Sequence, residues 1–188
     1  MSTLILFLPP RTRLRAQGQP ALADDAGGAY AYVLSDDGQT ISRQGHSVAA
    51  LLPAAATVIA VPAEADIAWQ RVDLPRAGRQ MRSALAGLLE ENLLDDPEHL
   101  HFAVEPGRVG GDTAWVAVTA RAALVQQLAL LEAAQVFVDR ITPLSAPTEQ
   151  PRGHFHAAGG LVALRWSHRD GVASLPLDGA LTRQLLPE

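Results

Sequence analysis

The chain contains no cysteine and no lysine. The first absence removes disulfides, thiolate metal sites and thiol nucleophiles. The second removes a phosphate-loop lysine, a Schiff-base lysine and a kinase-type lysine. All 15 basic residues are therefore arginine, and they face 20 acidic residues, for a net charge of −5. Nothing in that balance points to nucleic acid or to an anionic membrane surface. Long apolar runs are missing too. The longest, Val48 to Ala63, is broken by Pro53, Thr57 and Pro62, short of the roughly 20 residues that a spanning helix needs. The opening run, Leu4 to Leu8, has no basic segment before it and stops at Pro9-Pro10. It reads as a first strand, not as a signal peptide. The chain as given is expected to be soluble. There is no Gly-x-Ser-x-Gly elbow, and no Ser, His and Asp set stands out.

What is present suits a globular α/β protein. With 188 residues and 48% hydrophobic composition, it can bury a core as one domain or two small lobes. Tyr30 to Leu34 alternates as a strand. Ser35-Asp36-Asp37-Gly38 has turn chemistry, and Gln39 to Arg43 is expected to return as a hairpin partner. Ser47 to Leu52 is a short helix candidate. Thr57 to Val61 reads as a buried strand, with Ile67 to Leu74 alternating beside it and expected to pair with it. The clearest helix is Ala77 to Leu93, with Pro75 just before it and an apolar stripe at Met81, Leu85, Leu88 and Leu89. His99 to Val104 and Ala114 to Thr119 read as strands, Arg121 to Ala134 as a helix, and Val136 to Ile141 as a strand. Thr142 to Gly160 reads as a loop. Leu161 to Trp166 and Val172 to Leu175 form a hairpin around Asp170-Gly171, and a last helix runs from Asp178 to Leu186. This order predicts mixed-sheet lobes with flanking helices. The expected division is a strand-rich part over 1–74, an αββαβ part over 75–145, and a linker with hairpin and helix over 146–188, the last one incomplete.

Three constellations bear on chemistry. His99 with His101, and His154 with His156, are spaced to share one strand face, yet a metal needs three or four converging ligands. No metal site is assigned from a pair alone. Asp36, Asp37, Gly38 and Thr40 sit at a strand turn similar in flavour to the phosphate hairpin of actin-type ATPases. There a carboxylate acts through a metal while Gly and a hydroxyl approach phosphate. Asp-Gly is also the commonest hairpin turn, and Asp170-Gly171 repeats it. The paired acids Glu90-Glu91 and Asp95-Asp96 are adjacent in sequence and do not face each other as a catalytic dyad. They do crowd the end of the long helix while Arg76, Arg79 and Arg82 crowd its start. That reverses the preference of the helix dipole, worth about 0.3–1 kcal/mol per exposed charge. A solvated face tolerates such an arrangement; the functional reading is that the acidic end meets an Arg-rich surface elsewhere, on this chain or on a partner.

Leu74-Pro75, Arg82-Ser83-Ala84-Leu85 and the run from Leu89 through Glu90-Glu91-Asn92-Leu93-Leu94-Asp95-Asp96-Pro97 to His101-Phe102-Ala103 resemble the signature of type II secretion system protein L (GspL). In that family a Leu-Pro precedes a helix closing on Glu-Glu-Gln-Leu, then an acidic segment and a His-Phe-Ala strand; Asn92 replaces the usual Gln. Leu8-Pro9-Pro10 and Val61-Pro62 before Trp69 are also similar, and the resemblance spans roughly residues 1–145. It implies an actin-like, RNase H-related α/β fold without an intact nucleotide site, no enzymatic activity and no cofactor. It implies an adaptor on the cytoplasmic side of the bacterial inner membrane that recruits the secretion ATPase GspE through the N-terminal domain of that ATPase. It further implies association with GspM, with GspF and with itself, and a membrane helix and periplasmic part outside this chain. Under this reading Glu90, Glu91, Asp95 and Asp96 form part of a partner surface. The alternative is a nucleotide-binding actin-like protein using Asp36, Asp37 and Thr40.

Overall fold

The computed structural model describes residues 1–11, 28–158, 161–177 and 179–185. The described residues up to Pro143 form one compact unit, and those from Leu144 onward form another.

In the first unit a five-stranded sheet is built around β1 (Thr3–Phe7). The alternation of that segment buries Leu4, Leu6 and Leu8 and ends at the proline pair. β1 runs antiparallel to β2 (Ala29–Ser35) and parallel to β4 (Thr57–Val61). β3 (Arg43–Val48) extends the sheet beyond β2. Helix α2 (Arg121–Ala133) contributes the fully buried Leu131 to this core, with Leu124 packed beside it. α2 ends in a Schellman motif: Gln135 N–H donates to Glu132 O and Val136 N–H to Leu131 O. Gln135 takes the left-handed turn at φ 62°, a place usually given to Gly. The expected strand over Val136 to Ile141 shrinks to β8 (Arg140–Ile141), paired with β4. Just before it, Asp139 replaces ladder bonds. Its N–H donates to Val58 O, and its carboxylate accepts from Val58 N–H at 2.8 Å.

A second sheet in the same unit has the order β5 (Ala68–Asp73), β7 (Thr113–Ala120), β6 (Leu100–Val104), all antiparallel. This corrects the expected pairing of Ile67–Leu74 with Thr57–Val61. β4 is enclosed between β1 and β8 and offers no edge, so β5 pairs with β7. Helix α1 (Met81–Leu89) lays Leu85 and Leu89 on Leu100, Val116 and Val118. The helix is shorter than the periodicity of 77–93 suggests. Three-residue 3-10 turns, Gly78–Gln80 and Glu90–Asn92, flank it, and the side chain of the N-cap residue Gln80 makes no capping bond. The 107–111 loop closes on the segment before α1: a Cβ at Gly110 would lie 2.9 Å from both Arg76 Cα and Pro75 O.

The second unit holds the sheet β9 (Arg152–Ala158), β10 (Leu161–His168), β11 (Gly171–Pro176) and the short α3 (Ala180–Leu185). The buried Thr182 hydroxyl donates to Pro176 O at 2.6 Å. The loop expected over 142–160 in fact contains β9, which fills the third place in the sheet. The short helix expected at Ser47–Leu52 is a single 3-10 turn at Ala49–Leu51. The expected loop over Arg11 to Gly28 lies largely outside the described residues. Among the described residues no helix is long and apolar enough to cross a membrane.

Candidate functional site

The acidic end of α1 is laid out by the fold without being used by it. Glu90 and Glu91 lie in the 3-10 turn that closes the helix, and both are exposed, as is Asp95. None of the three has a hydrogen bond or ion pair among the described residues. Asp96 is exposed too, but one oxygen accepts from Glu98 N–H at 2.8 Å, capping the turn Pro97–His99. Leu88 and Leu94, 50% and 106% exposed, stand among these acids. At the other end of the helix Arg82 is not a stray cation. Its Nη2 donates to Glu98 O and Leu100 O, each at 3.3 Å, and so ties α1 to the start of β6.

The hairpin acids behave differently. The turn between β2 and β3 spans residues 36–42, longer than expected, because β3 starts only at Arg43. The Asp37 carboxylate organises it. Oδ1 accepts from Thr40 N–H at 2.7 Å, Gln39 N–H at 2.8 Å and Ser35 Oγ at 3.0 Å; Oδ2 accepts from Thr40 Oγ1 at 2.8 Å. Gly38 N–H donates to Ser35 Oγ. These bonds, led by the Thr40 and Gln39 amides, hold the Asp37 carboxyl well below the usual carboxylate range. Oδ1 already holds three donors, so a cation there would compete with the bonds that shape the turn. Asp36 is exposed, and its N–H donates to Ser42 Oγ.

A cleft of about 420 Å³ opens in the first unit, between the end of β1, the segment before β5 and the first turns of α2. Its polar anchor is Asp66, a carboxylate missed in the sequence. Asp66 is buried and accepts from Arg11 N–H at 2.7 Å and Arg11 Nε at 3.3 Å. A charge buried to this degree needs such a partner. Asp36, Asp37 and Thr40 are not among the residues lining this cleft or the adjoining one around Leu93 and Leu94. The only available signal for Asp66 was one of two acids, with Glu64, in an alanine-rich stretch, which says nothing about its partner 55 residues away.

The histidine pairs separate as well. His99 belongs to the turn before β6, while His101 is on the strand. His154 and His156 share one face of β9, opposite Arg165 and Ala163. Among the described residues no three His, Asp or Glu side chains converge in a way that could hold a metal. Partial desolvation, then the charges of Arg82 and Arg121, push the His101 imidazole below its ordinary pKa.

The geometry thus offers an open charged surface and a cleft, and comparison with known proteins gives them context. The family model of the type II secretion system protein L matches residues 29–148, well over half of the 188 residues. The chain belongs to the type II secretion system protein L family. It is similar to the solved cytoplasmic domain of EpsL, an inner-membrane component of the type II secretion system of Vibrio cholerae. The TM-score is 0.62 at 22% identity, covering 93% of this chain and 71% of that one. It is also similar to a chain of the PilM–PilN type IV pilus biogenesis complex, with a TM-score of 0.52 at 13% identity, covering 99% of this chain and 66% of that one. At such identities both likenesses speak to fold alone, and the fold is the mixed α/β, actin-like one expected. No curated protein sequence matches the chain. As a member of the protein L family, the chain is a component of a protein secretion machine.

Proposed function

We propose that this chain is a non-enzymatic adaptor on the cytoplasmic side of the bacterial inner membrane, recruiting the secretion ATPase GspE to the type II secretion platform. The observation that carries this reading is the family match over residues 29–148. The bare acids at the end of α1 support it locally. Glu90, Glu91 and Asp95 are charged, exposed and unspent, so they are free to meet a cationic partner surface, with Asp96 at the edge of the patch. GspM, GspF and a second copy are further partners under the same reading, and a membrane segment outside this chain would anchor it. The use of Asp37 within its own turn favours this reading over a nucleotide-binding one. Fold likeness to actin-type proteins adds no weight to ATP hydrolysis.

The test is calorimetric titration of the chain with the N-terminal domain of its cognate secretion ATPase at two salt concentrations. Saturable one-to-one binding is expected, weaker at high salt. Absence of binding, together with a thermal shift by millimolar ATP and magnesium, would replace the adaptor reading with the nucleotide one.

A further inference from the structure

The cleft of about 420 Å³ in the first unit is a feature that the proposed function leaves unused. It opens beyond the carboxyl ends of β1 and β4, a parallel pair within the five-stranded sheet. Open α/β sheets place their ligand crevices at such ends. Pro9, Pro10, Pro62 and Leu124 give the cleft apolar walls. A neighbouring cleft of about 320 Å³ shares Arg11, Asp66 and Thr119 with it. Arg11 thus stands where two spaces meet, each of a size that suits a small molecule.

The Arg11 side chain is held in one orientation. Its backbone N–H and its Nε both donate to Asp66, at 2.7 and 3.3 Å, and the Asp66 side chain is only 7% exposed. The guanidinium carries further donors in the same plane, on Nη1 and Nη2. These take no bond among the described residues. Such a fork matches the two oxygens of a carboxylate. Gln127 lines the same cleft. Its Oε1 accepts from the Tyr30 hydroxyl at 3.0 Å, which leaves its amide nitrogen to donate. Arg11 and Asp66 are the charged side chains of the larger cleft, so its charge sums to zero before a ligand enters. A monoanion is accepted there more readily than a phosphate, which brings a charge of about −1.5 to −2 close to Asp66.

We propose that this cleft is a binding site for a small organic acid. The carboxylate meets the Nη edge of Arg11, and an apolar body lies against the prolines and Leu124. Asp66 orients that edge, which gives the buried pair a use beyond stability. A nucleotide suits the site less well, because its phosphates would gather several negative charges where the protein offers no net positive charge. This inference rests neither on ATPase recruitment nor on the nucleotide alternative.

Calorimetric titration of the 188-residue chain with phenylacetate, phenylacetamide and phenyl phosphate tests it, together with two variants. Phenylacetate should bind one-to-one and at least about tenfold more tightly than the uncharged amide, as a charged hydrogen-bonded pair implies. Arg11→Gln keeps the backbone N–H on Asp66 and should bring the acid down to the level of the amide. Ala122→Leu adds bulk at an exposed position of α2 that lines the cleft, and it should weaken acid and amide alike. Circular dichroism with a melting curve checks that each variant folds. Should Arg11→Gln fail to fold, the acid–amide contrast on the wild type and the effect of Ala122→Leu still decide. No saturable binding of phenylacetate, equal affinity for acid and amide, or acid binding indifferent to either folded variant would each overturn the proposal. Phenyl phosphate binding more tightly than phenylacetate would overturn it as well, since the charge argument selects a carboxylate.

Discussion

The acids of this molecule fall into two regions that look alike in sequence and behave oppositely. Asp36-Asp37 and Asp95-Asp96 are both Asp pairs beside a turn-forming residue. In the 35–42 turn the Asp37 carboxylate is consumed by four donors, and in the first unit the Asp66 carboxylate is consumed by Arg11. At the end of α1, Glu90, Glu91 and Asp95 take no bond among the described residues. The difference is one of backbone geometry. A turn or a buried seam aims donors at a carboxylate, whereas the outer side of a helix end aims none. An acid that supports nothing in the fold, and even opposes the helix dipole, is the kind of group that a partner can use.

The comparison can be broken most forcefully at Asp66. Asp66→Ala leaves Arg11 without its partner beside a largely buried site, and about 2–3 kcal/mol of stability should be lost. That is less than for a fully buried pair, because the Arg11 side chain is 35% exposed. Urea unfolding measures it, and a loss below the error of that measurement would place Asp66 with the idle acids.

Asp37→Ala comes next. The folded carboxyl titrates below its ordinary value of 3.8, so the unfolded chain binds the proton first. The contribution of Asp37 is then fully present above that value and fades as pH falls through and below it. The gap in melting temperature between wild type and Asp37→Ala should be constant near neutrality and close in acid. A gap independent of pH would mean that the carboxylate charge plays no part in the turn.

The double variant Glu90→Arg, Glu91→Arg should do the reverse of a structural mutation. It relieves an unfavourable dipole arrangement at the helix end and should leave stability unchanged or raise it by about 0.5 kcal/mol. Binding to the ATPase domain should weaken and lose part of its salt dependence. Unfolding and titration on the same sample separate the two effects. Lower stability with intact binding would move these acids into the structural group.

The smallest effect belongs to His101. Its folded pKa lies below the ordinary 6.5, so protons prefer the unfolded chain and stability declines as pH falls through that value, levelling off below the folded pKa. His101→Gln should flatten this part of the stability profile. An unchanged profile would show that Arg82 and Arg121 do not press on the imidazole.

Much of the fold was legible because alternation and helical spacing are local. β1, β2, β4, α2 and the final hairpin lie close to where periodicity puts them. What was not legible depended on distant partners. β5 has the same alternation whichever strand it joins, and only the closure of β4 between β1 and β8 sends it to β7. The stretch before β10 is rich in Pro and Gly and hides β9, whose order comes from pairing with β10. The periodicity of 77–93 outran the helix because a stripe of leucines continues through 3-10 turns as readily as through α-helix. At the candidate surface the acids themselves were visible, but their idleness was not.

The sequence by itself determined the chemical repertoire: no thiol, no lysine, a modest acidic excess, and a family signature running from Leu74 to Ala103. These are properties of residue type and order, and folding does not alter them. Only the tertiary structure decided which charges are spent and which are free. That depends on where backbone donors point and on which sheet face a helix covers, and both are set by contacts between segments far apart in the chain.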